Sequence, residues 1–230
     1  MKVSGIQKLS LIDYPDKTAT VIFLPGCNFR CGFCHNKDLV EDTLGDLGED
    51  KIFSFLESRK GLVDAVTMTG GEPTIHKELP DFISKIKQLG FLVKLDTNGS
   101  NPTMLKQMID SKLVDYVAMD IKAPLQEYHK TTNIPIDKDK INKSVEFLKK
   151  GKVDYEFRTT LVPGLIDKAS LMFIAKWLKG SKKYVLQQFR PKDCMDPDFN
   201  KKRPFKRQHI FDFQKAMQPH FKIVEVRNLE

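Results

Sequence analysis

The stretch Val21–Asn36 reads VIFLPGCNFRCGFCHN, an apolar run that leads directly into a loop with three cysteines. Residues Thr18–Leu24 are rich in β-branched and apolar side chains, which predicts a buried strand. In the loop that follows, Cys27, Cys31 and Cys34 have the spacing CxxxCxxC. With four cysteines in 230 residues, three of them crowded together, the chain does not have a disulfide framework. The loop therefore predicts reduced thiols that bind a metal or react.

The cysteine loop supplies soft sulfur ligands, which favour zinc, copper(I) or an iron–sulfur cluster. A structural zinc site normally has four ligands in two pairs. Cys194 lies far along the chain and His35 is adjacent to Cys34, so neither completes that pattern. Three thiolates on a four-iron cluster instead leave one iron free to bind another molecule. We therefore expect a 4Fe-4S cluster on Cys27, Cys31 and Cys34, with zinc or a reactive-thiol loop as alternatives.

Strand-like and helix-like stretches alternate along the chain, which predicts an α/β fold with a mainly parallel sheet. About six strand–helix units are fewer than the eight of a complete barrel, so we expect a partial (β/α)6 TIM-like barrel. A flat doubly wound sheet is the alternative. The predicted strands are Thr18–Leu24, Ala65–Met68, Phe91–Leu95, Val114–Ile121, Tyr155–Val162, Tyr184–Phe189 and Lys222–Val226. The predicted helices are Glu49–Ser58, Lys77–Leu89, Asn101–Ser111, Lys138–Lys150, Lys168–Lys179 and Pro204–Met217.

The chain shows no domain linker; residues 193–204, with two prolines and mixed charge, read as a loop. We expect one domain over residues 1–230, with a core at about 17–190 and a C-terminal helix and strand at 203–227. The longest apolar runs are too short to span a bilayer, and the first residues lack the apolar core of a signal peptide. These features predict a cytoplasmic protein without a membrane partner.

Polar segments follow three further predicted strands: Thr69–Pro73 (TGGEP), Asp96–Gly99 (DTNG) and Asp120–Lys122 (DIK). Because the carboxyl ends of parallel strands meet at one edge of a sheet, these segments and the cysteine loop are expected there together. In the first segment, two glycines allow the backbone to approach a ligand closely, and the glutamate can accept from a cationic group. Taken separately, each segment could equally be a turn or a surface feature.

The net charge of +8 and the pI near 9.2 suggest an acidic partner. Basic residues are concentrated late in the chain, where they could face an acidic protein or nucleic acid, or simply form a solvated face. We do not expect nucleic acid to be the partner of these residues. The residues concerned are Lys179, Lys182, Lys183, Lys201, Lys202, Arg203, Lys206 and Arg207.

The cysteine spacing, with an aromatic residue before the last cysteine, resembles the radical S-adenosylmethionine superfamily. The resemblance implies that the amino and carboxylate groups of S-adenosylmethionine chelate the open iron. It also implies that an electron from the cluster cleaves a carbon–sulfur bond to give a 5′-deoxyadenosyl radical. Phe33 would then lie beside the adenine. Gly70, Gly71 and Glu72 would lie at the amino group.

The DTNG and DIK segments are similar to those of glycyl-radical-enzyme activases. That similarity implies that Lys122 pairs with the carboxylate of S-adenosylmethionine, and that Asp96, Thr97 and Asp120 could hold a monovalent cation. The other residues that the similarity and the strand ends predict around the cofactor or substrate are Asn98, Arg158, Thr160, Gln187, Gln188 and Arg190.

Four further segments, KLSLIDYP (8–15), CHN (34–36), MDIKAP (119–124) and QQFRP (187–191), resemble the anaerobic ribonucleoside-triphosphate reductase activating proteins. This implies a glycyl radical on the large subunit of an anaerobic (class III) ribonucleotide reductase, with flavodoxin or ferredoxin as electron donor. The chain departs from the pattern at Asp16, where these proteins have glycine, and has no ferredoxin insert. The alternatives are another glycyl-radical enzyme, a small-molecule substrate, or a zinc-containing basic nucleic-acid-binding module.

Overall fold

The strands of the computed structural model, which describes residues 1–229, form one sheet in their order along the chain. The strands are β1 Gly5–Tyr14, β2 Lys17–Leu24, β3 Ala65–Gly70, β4 Leu92–Thr97, β5 Tyr116–Asp120, β6 Asp154–Leu161, β7 Lys183–Gln188 and β8 Ile223–Arg227. The helices are α1 Lys37–Val40, α2 Glu49–Ser58, α3 Leu79–Gln88, α4 Pro102–Asp110, α5 Tyr128–Thr132, α6 Lys138–Lys149, α7 Lys168–Trp177 and α8 Arg207–Met217.

Strands β2 to β8 are all parallel, each paired with the next, so their carboxyl ends lie along one edge. Within residues 1–229, β1 and β8 are the two ends of the strand order, so the sheet is open and does not close into a barrel. The sheet is curled and forms a half-barrel. This confirms the predicted α/β partial barrel. The register places Leu24 opposite Gly70, and Asp120 opposite Arg158. Segments that are distant in sequence therefore become neighbours at the carboxyl edge.

Strand β1 was not predicted, although it includes the KLSLIDYP segment. Half of its residues are exposed, and Leu11 and Ile12 are among the most exposed apolar residues of the described chain. The strand is held by antiparallel main-chain hydrogen bonds to β2. Because its side chains do not alternate between buried and exposed, the sequence has no strand-like pattern of polarity here. The turn between the two strands places Asp16 at φ +57°. This left-handed conformation suits glycine best and aspartate tolerably, which explains the departure noted at this position.

The two faces of the sheet differ in polarity because side chains alternate along each strand. Val66, Met68, Val93 and Leu95 are fully buried against the helices and form part of the main apolar core. Burying each such side chain stabilises the fold by roughly 1.5–3 kcal/mol. The opposite face of the same strands carries polar groups into the half-barrel. The helices thus hold the sheet from outside while its inner face is left for chemistry.

The long predicted helices are all present, with ends shifted by a few residues. Lys77–Leu89 is observed as Leu79–Gln88, and Pro204–Met217 as Arg207–Met217. The short helices α1 and α5 were not predicted, because four or five residues show too little periodicity. In residues 1–229, no helix has the length and apolarity needed to cross a membrane.

Candidate cluster and cofactor site

A cavity of about 360 Å³ lies at the carboxyl ends of the parallel strands. Every site residue predicted from the sequence lines it: Cys27, Cys31, Phe33, Cys34, Gly70, Gly71, Glu72, Asp96, Thr97, Asn98, Asp120, Lys122, Arg158 and Gln187. Thr160, Gln188 and Arg190 also line the cavity. Asn36 and Asn228 do so as well and were not predicted as site residues. The structure shows that these residues share one cavity, and the ligand assigned to each of them stays a prediction.

The three clustered cysteines are free thiols, with Cys31 buried and Cys27 and Cys34 half-buried. Burial raises the pKa of Cys27 to about 11 and that of Cys31 to about 12. Thiolates in this pocket therefore need a nearby cation to be stable at neutral pH. An iron–sulfur cluster supplies that compensation, so the donor set fits such a group.

Backbone amides already point at two of the sulfurs. The N–H groups of Phe29 and Asn36 donate to Cys27 Sγ and Cys34 Sγ, each at 3.4 Å. Such bonds favour the thiolate form and tune the potential of iron–sulfur centres. Among residues 1–229, no group of three or more His, Cys, Asp or Glu side chains could hold a metal ion. A four-iron cluster does not need side chains gathered around a single ion, because each thiolate binds a different iron.

The cysteine loop and the TGGEP segment are joined through their backbones. The N–H of Gly71 donates to Leu24 O at 2.9 Å, and the N–H of Glu72 donates to Gly26 O at 2.8 Å. A β-carbon on Gly71 would lie only 1.8 Å from Gly26 O. Glycine is therefore required at this position by the close approach of two loops, whatever ligand they share.

Replacing Gly71 should separate these loops. We expect Gly71→Ala to lower the free energy of unfolding of the cluster-free protein by about 1–3 kcal/mol, because the new methyl group meets backbone that cannot move aside. Chemical denaturation measures the effect. Gly45→Ala is the matched control, since a β-carbon there meets nothing within 4 Å, and should change stability by less than about 1 kcal/mol. Equal stability of the two variants would contradict this packing.

The Glu72 carboxylate is 1% exposed and is already hydrogen-bonded within the chain. Its Oε1 accepts from the Thr97 hydroxyl at 2.7 Å and from the N–H and hydroxyl of Thr74 at 3.1 and 2.5 Å. Its Oε2 accepts from the Asn98 N–H at 2.6 Å. Burial raises the pKa of Glu72, and these bonds oppose the rise. Glu72 therefore fixes the end of β4 to the TGGEP segment, a use that sequence analysis missed.

Asparagine side chains connect the cysteine loop to the neighbouring strand ends. The Asn36 amide donates to Gly70 O at 3.1 Å, and the Asn98 amide donates to Asn28 Oδ1 at 2.9 Å. Asn28 in turn donates to the Ser100 hydroxyl at 2.8 Å. The CHN segment was the only sequence signal for Asn36, and it gave no role. These bonds hold the cysteine loop against the ends of β3 and β4.

Charges of alternating sign run across the inner face of the half-barrel. Arg158 donates from Nε to Asp120 Oδ1 at 2.9 Å and from Nη1 to Asp96 Oδ2 at 3.1 Å. Lys122 Nζ donates to Asp120 Oδ2 at 2.9 Å, and Lys94, only 2% exposed, contacts Asp96. Burial alone would raise the pKa of Asp120, but Arg158 and Lys122 hold that pKa well below its usual range. This network therefore joins three cations, Lys94, Lys122 and Arg158, to two carboxylates.

This charge pattern gives no support to the monovalent cation predicted on Asp96, Thr97 and Asp120. The guanidinium of Arg158 already bridges the two carboxylates, so a further cation there would meet positive charge. The Thr97 hydroxyl donates to Glu72 instead of facing the two aspartates. Sequence analysis missed this arrangement because the contribution of Arg158 depends on strand register.

Phe33 lies against the cavity with its side chain almost buried. The Lys122 ammonium lies 5.9 Å from its ring centroid, and the ring of Phe199 packs on it at 6.2 Å between centroids. Phe199 belongs to residues 190–202, between β7 and α8, which we call the cover segment because it lies on the cysteine loop. Cys194 is also in this segment, buried and outside the cavity lining. It is therefore not grouped with the other three cysteines.

The fold and the site together form an open half-barrel with a cysteine-lined cavity at the carboxyl ends of its strands. The family model of the radical SAM superfamily matches residues 21–173. A protein of Methanocaldococcus jannaschii with the provisional name glycyl-radical enzyme activating enzyme is 37% identical over 99% of this chain and 96% of its own length. The pyruvate formate-lyase-activating enzyme of Clostridium pasteurianum is 31% identical over 53% of this chain and 52% of its own length. The chain belongs to the radical SAM superfamily.

A solved structure agrees on the fold. Streptococcus suis SuiB bound to S-adenosylmethionine superposes with a TM-score of 0.68 over 91% of this chain at 11% identity. The chain spans about half the length of SuiB, 52%. Membership of the superfamily implies a 4Fe-4S cluster and S-adenosylmethionine, and it argues against the zinc-containing nucleic-acid-binding module. Both relatives are named as activating enzymes, one of a glycyl-radical enzyme and one of pyruvate formate-lyase.

Proposed function

We propose that this chain is an activating enzyme that generates a glycyl radical on the large subunit of an anaerobic (class III) ribonucleotide reductase. The observation that carries the proposal is the similarity, across nearly the whole chain, to a relative named as a glycyl-radical enzyme activating enzyme. The assignment to ribonucleotide reductase rests on the KLSLIDYP, CHN, MDIKAP and QQFRP segments. An acidic carrier such as flavodoxin or ferredoxin supplies the electron.

The residues that would hold the cluster are Cys27, Cys31 and Cys34, whose sulfurs line the cavity. When bound, the cluster supplies the electron that breaks a carbon–sulfur bond of S-adenosylmethionine, giving methionine and a 5′-deoxyadenosyl radical. The amide donors to Cys27 and Cys34 would stabilise the thiolates that this requires. The chain's own contribution is thus to hold three anionic sulfurs in a partly buried pocket.

The groups that would orient S-adenosylmethionine face the same cavity. Lys122 is a half-buried ammonium beside the ring of Phe33, which suits pairing with a carboxylate next to an adenine. Asp120 and Arg158 would hold Lys122 in position through their ion pairs. The remaining residues predicted from the sequence around the cofactor are Gly70, Gly71, Glu72, Asp96, Thr97, Asn98 and Gln187. A substrate glycine has a bare α-carbon, so its hydrogen is accessible to the radical.

Electron paramagnetic resonance of the partner tests this function. We expect the anaerobically reconstituted protein, given S-adenosylmethionine and a reductant, to generate a glycyl-radical signal on the reductase large subunit. The signal should be absent when the glycine of the partner's radical motif is replaced by alanine. Cleavage of S-adenosylmethionine without any protein radical would contradict the proposal and favour a small-molecule substrate.

A second candidate partner is another glycyl-radical enzyme, and the similarity to a pyruvate formate-lyase-activating enzyme favours it. The two candidates share all the chemistry at the cavity and differ only in the protein that docks. The same resonance measurement, with pyruvate formate-lyase in place of the reductase, separates them. A radical on the lyase and none on the reductase would assign the chain to the second partner.

A further inference from the structure

The cover segment is bound along the outer part of the cysteine loop. Met195 N–H donates to Cys34 O at 2.8 Å, and Asp196 N–H donates to Gly32 O at 2.9 Å. His35 Nε2 and Arg190 O lie 2.8 Å apart. The contact is close, since a β-carbon on Gly32 would lie 2.6 Å from the Phe199 ring. A molecule that touches the cover segment is therefore separated from the cysteine loop by a single layer of chain.

Both ends of this segment are anchored at the same strand. The segment begins just after Gln188, the last residue of β7. Shortly after the segment ends, the chain lies beside β7 again, where the side-chain amide of Gln188 donates to Phe205 O at 3.2 Å. Inside the segment, Asn200 Oδ1 accepts from the N–H of Cys194 at 3.0 Å, and Asp196 accepts from the N–H of Asp198 at 2.9 Å. The segment is thus an internally bonded surface rather than an extended linker.

Charge is concentrated on this surface. Residues 190–207 contain seven Lys or Arg and three Asp, a net charge of +4, which is half of the chain's +8. Lys201 pairs with Asp198 at 2.8 Å, and Lys202 lies over the Phe199 ring at 5.1 Å. Arg203, Lys206 and Arg207 are exposed and follow directly; we call these three residues the basic face. An acidic partner would be drawn to the side of the protein where the cysteine loop is covered.

We propose that the cover segment and the basic face form the docking surface for an acidic one-electron carrier protein. The inference rests on the proposed function, because that function needs one electron from outside the chain for each S-adenosylmethionine cleaved. The carrier loses that electron and the cofactor's carbon–sulfur bond accepts it. Placement on the cover segment brings the carrier next to Cys34, whose carbonyl accepts from the N–H of Met195.

A pair of charge-reversal variants tests the docking surface. Arg203→Glu with Lys206→Glu changes the basic face, and Lys150→Glu with Lys179→Glu makes the same change in charge at the amino ends of β6 and β7. All four side chains are exposed. The probe is oxidised flavodoxin, a small acidic carrier, titrated calorimetrically into the cluster-free protein at low and high salt. We expect the first variant to bind roughly tenfold more weakly at low salt and the control to bind as the unchanged protein does.

Other readouts separate this proposal from the proposed function. Dithionite needs no docking surface, so dithionite-driven cleavage of S-adenosylmethionine should be unchanged in both variants. Equal weakening in both variants would overturn the proposal, because attraction would then depend on total charge alone. Loss of binding to the reductase large subunit, with flavodoxin binding intact, would also overturn it and assign the face to the protein substrate. If the chain generates no glycyl radical, the flavodoxin titration still gives its own answer.

Discussion

Replacing Cys31 by alanine should abolish cluster assembly, with iron and sulfide falling to background after anaerobic reconstitution. Cys31 is the most buried of the three clustered thiols, and burial raises its pKa to about 12. Its replacement leaves two of the three thiols that would hold the cluster. Cleavage of S-adenosylmethionine should fall by at least roughly a hundredfold, because the electron has no route to the cofactor.

The matched control is Cys194→Ala. This thiol is also buried, but it belongs to the cover segment, outside the cavity lining, and its sulfur donates long hydrogen bonds within that segment, 3.9 Å to Arg190 O and to Lys192 O. Iron and sulfide content and the visible absorption of the cluster should match those of the unchanged protein. A cluster retained in Cys31→Ala, or lost only in Cys194→Ala, would mean that the ligand set has been assigned wrongly.

Removing the charge of Arg158 should produce the largest loss of stability in the half-barrel. Its guanidinium bridges Asp96 and Asp120, and the three side chains are 12%, 13% and 27% exposed. Arg158→Gln leaves two carboxylates in a partly buried wall without their shared partner. We expect the free energy of unfolding of the cluster-free protein to fall by about 3 kcal/mol at neutral pH. Lys106→Gln, which breaks an exposed pair with Asp110, should cost less than about 1 kcal/mol.

The loss of stability in Arg158→Gln should depend on pH. Because Arg158 and Lys122 hold the pKa of Asp120 well below its usual range, the ion pair stabilises the folded state above the pKa of the unfolded chain, about 4. That contribution disappears as the pH falls through the lower pKa of the folded state. Urea unfolding at neutral and acid pH should therefore show the difference between Arg158→Gln and the unchanged protein shrinking in acid. A difference that stays constant would indicate a packing effect instead.

Much of the site was predictable because the topology of the sheet determines where the segments that follow its strands lie. Once the strands are parallel and ordered, segments that follow them must meet at one edge, so CNFRCGFC, TGGEP, DTNG and DIK could be placed together from sequence alone. The glycines in TGGEP were also informative, since Gly71 is required by backbone contact. For the same reason the fold class was predicted correctly although β1 was missed.

The rest depends on contacts that sequence does not display. Lys94 lies two residues from Asp96 on β4, so the two share a face, but only the structure shows that the lysine is buried and contacts the carboxylate. The Glu72 carboxylate was expected to face a ligand, and nothing in the sequence indicated its four hydrogen bonds within the chain, two of which come from the end of β4. Residues 193–204, which include most of the cover segment, were predicted as a loop, while the segment's contacts with Gly32 and Cys34 link residues more than 150 positions apart. Strand β1 has an exposed apolar pattern that looks unlike an ordinary strand.

Transfer of deuterium from the partner into the cleaved cofactor tests the central claim most directly. The reductase large subunit is prepared with α-deuterated glycine and mixed anaerobically with the reconstituted protein, S-adenosylmethionine and reductant. The proposed function predicts one deuterium in the 5′-deoxyadenosine that forms with each glycyl radical, measured by mass spectrometry. If 5′-deoxyadenosine forms without deuterium and without a protein radical, the chain does not act on a glycine of this partner.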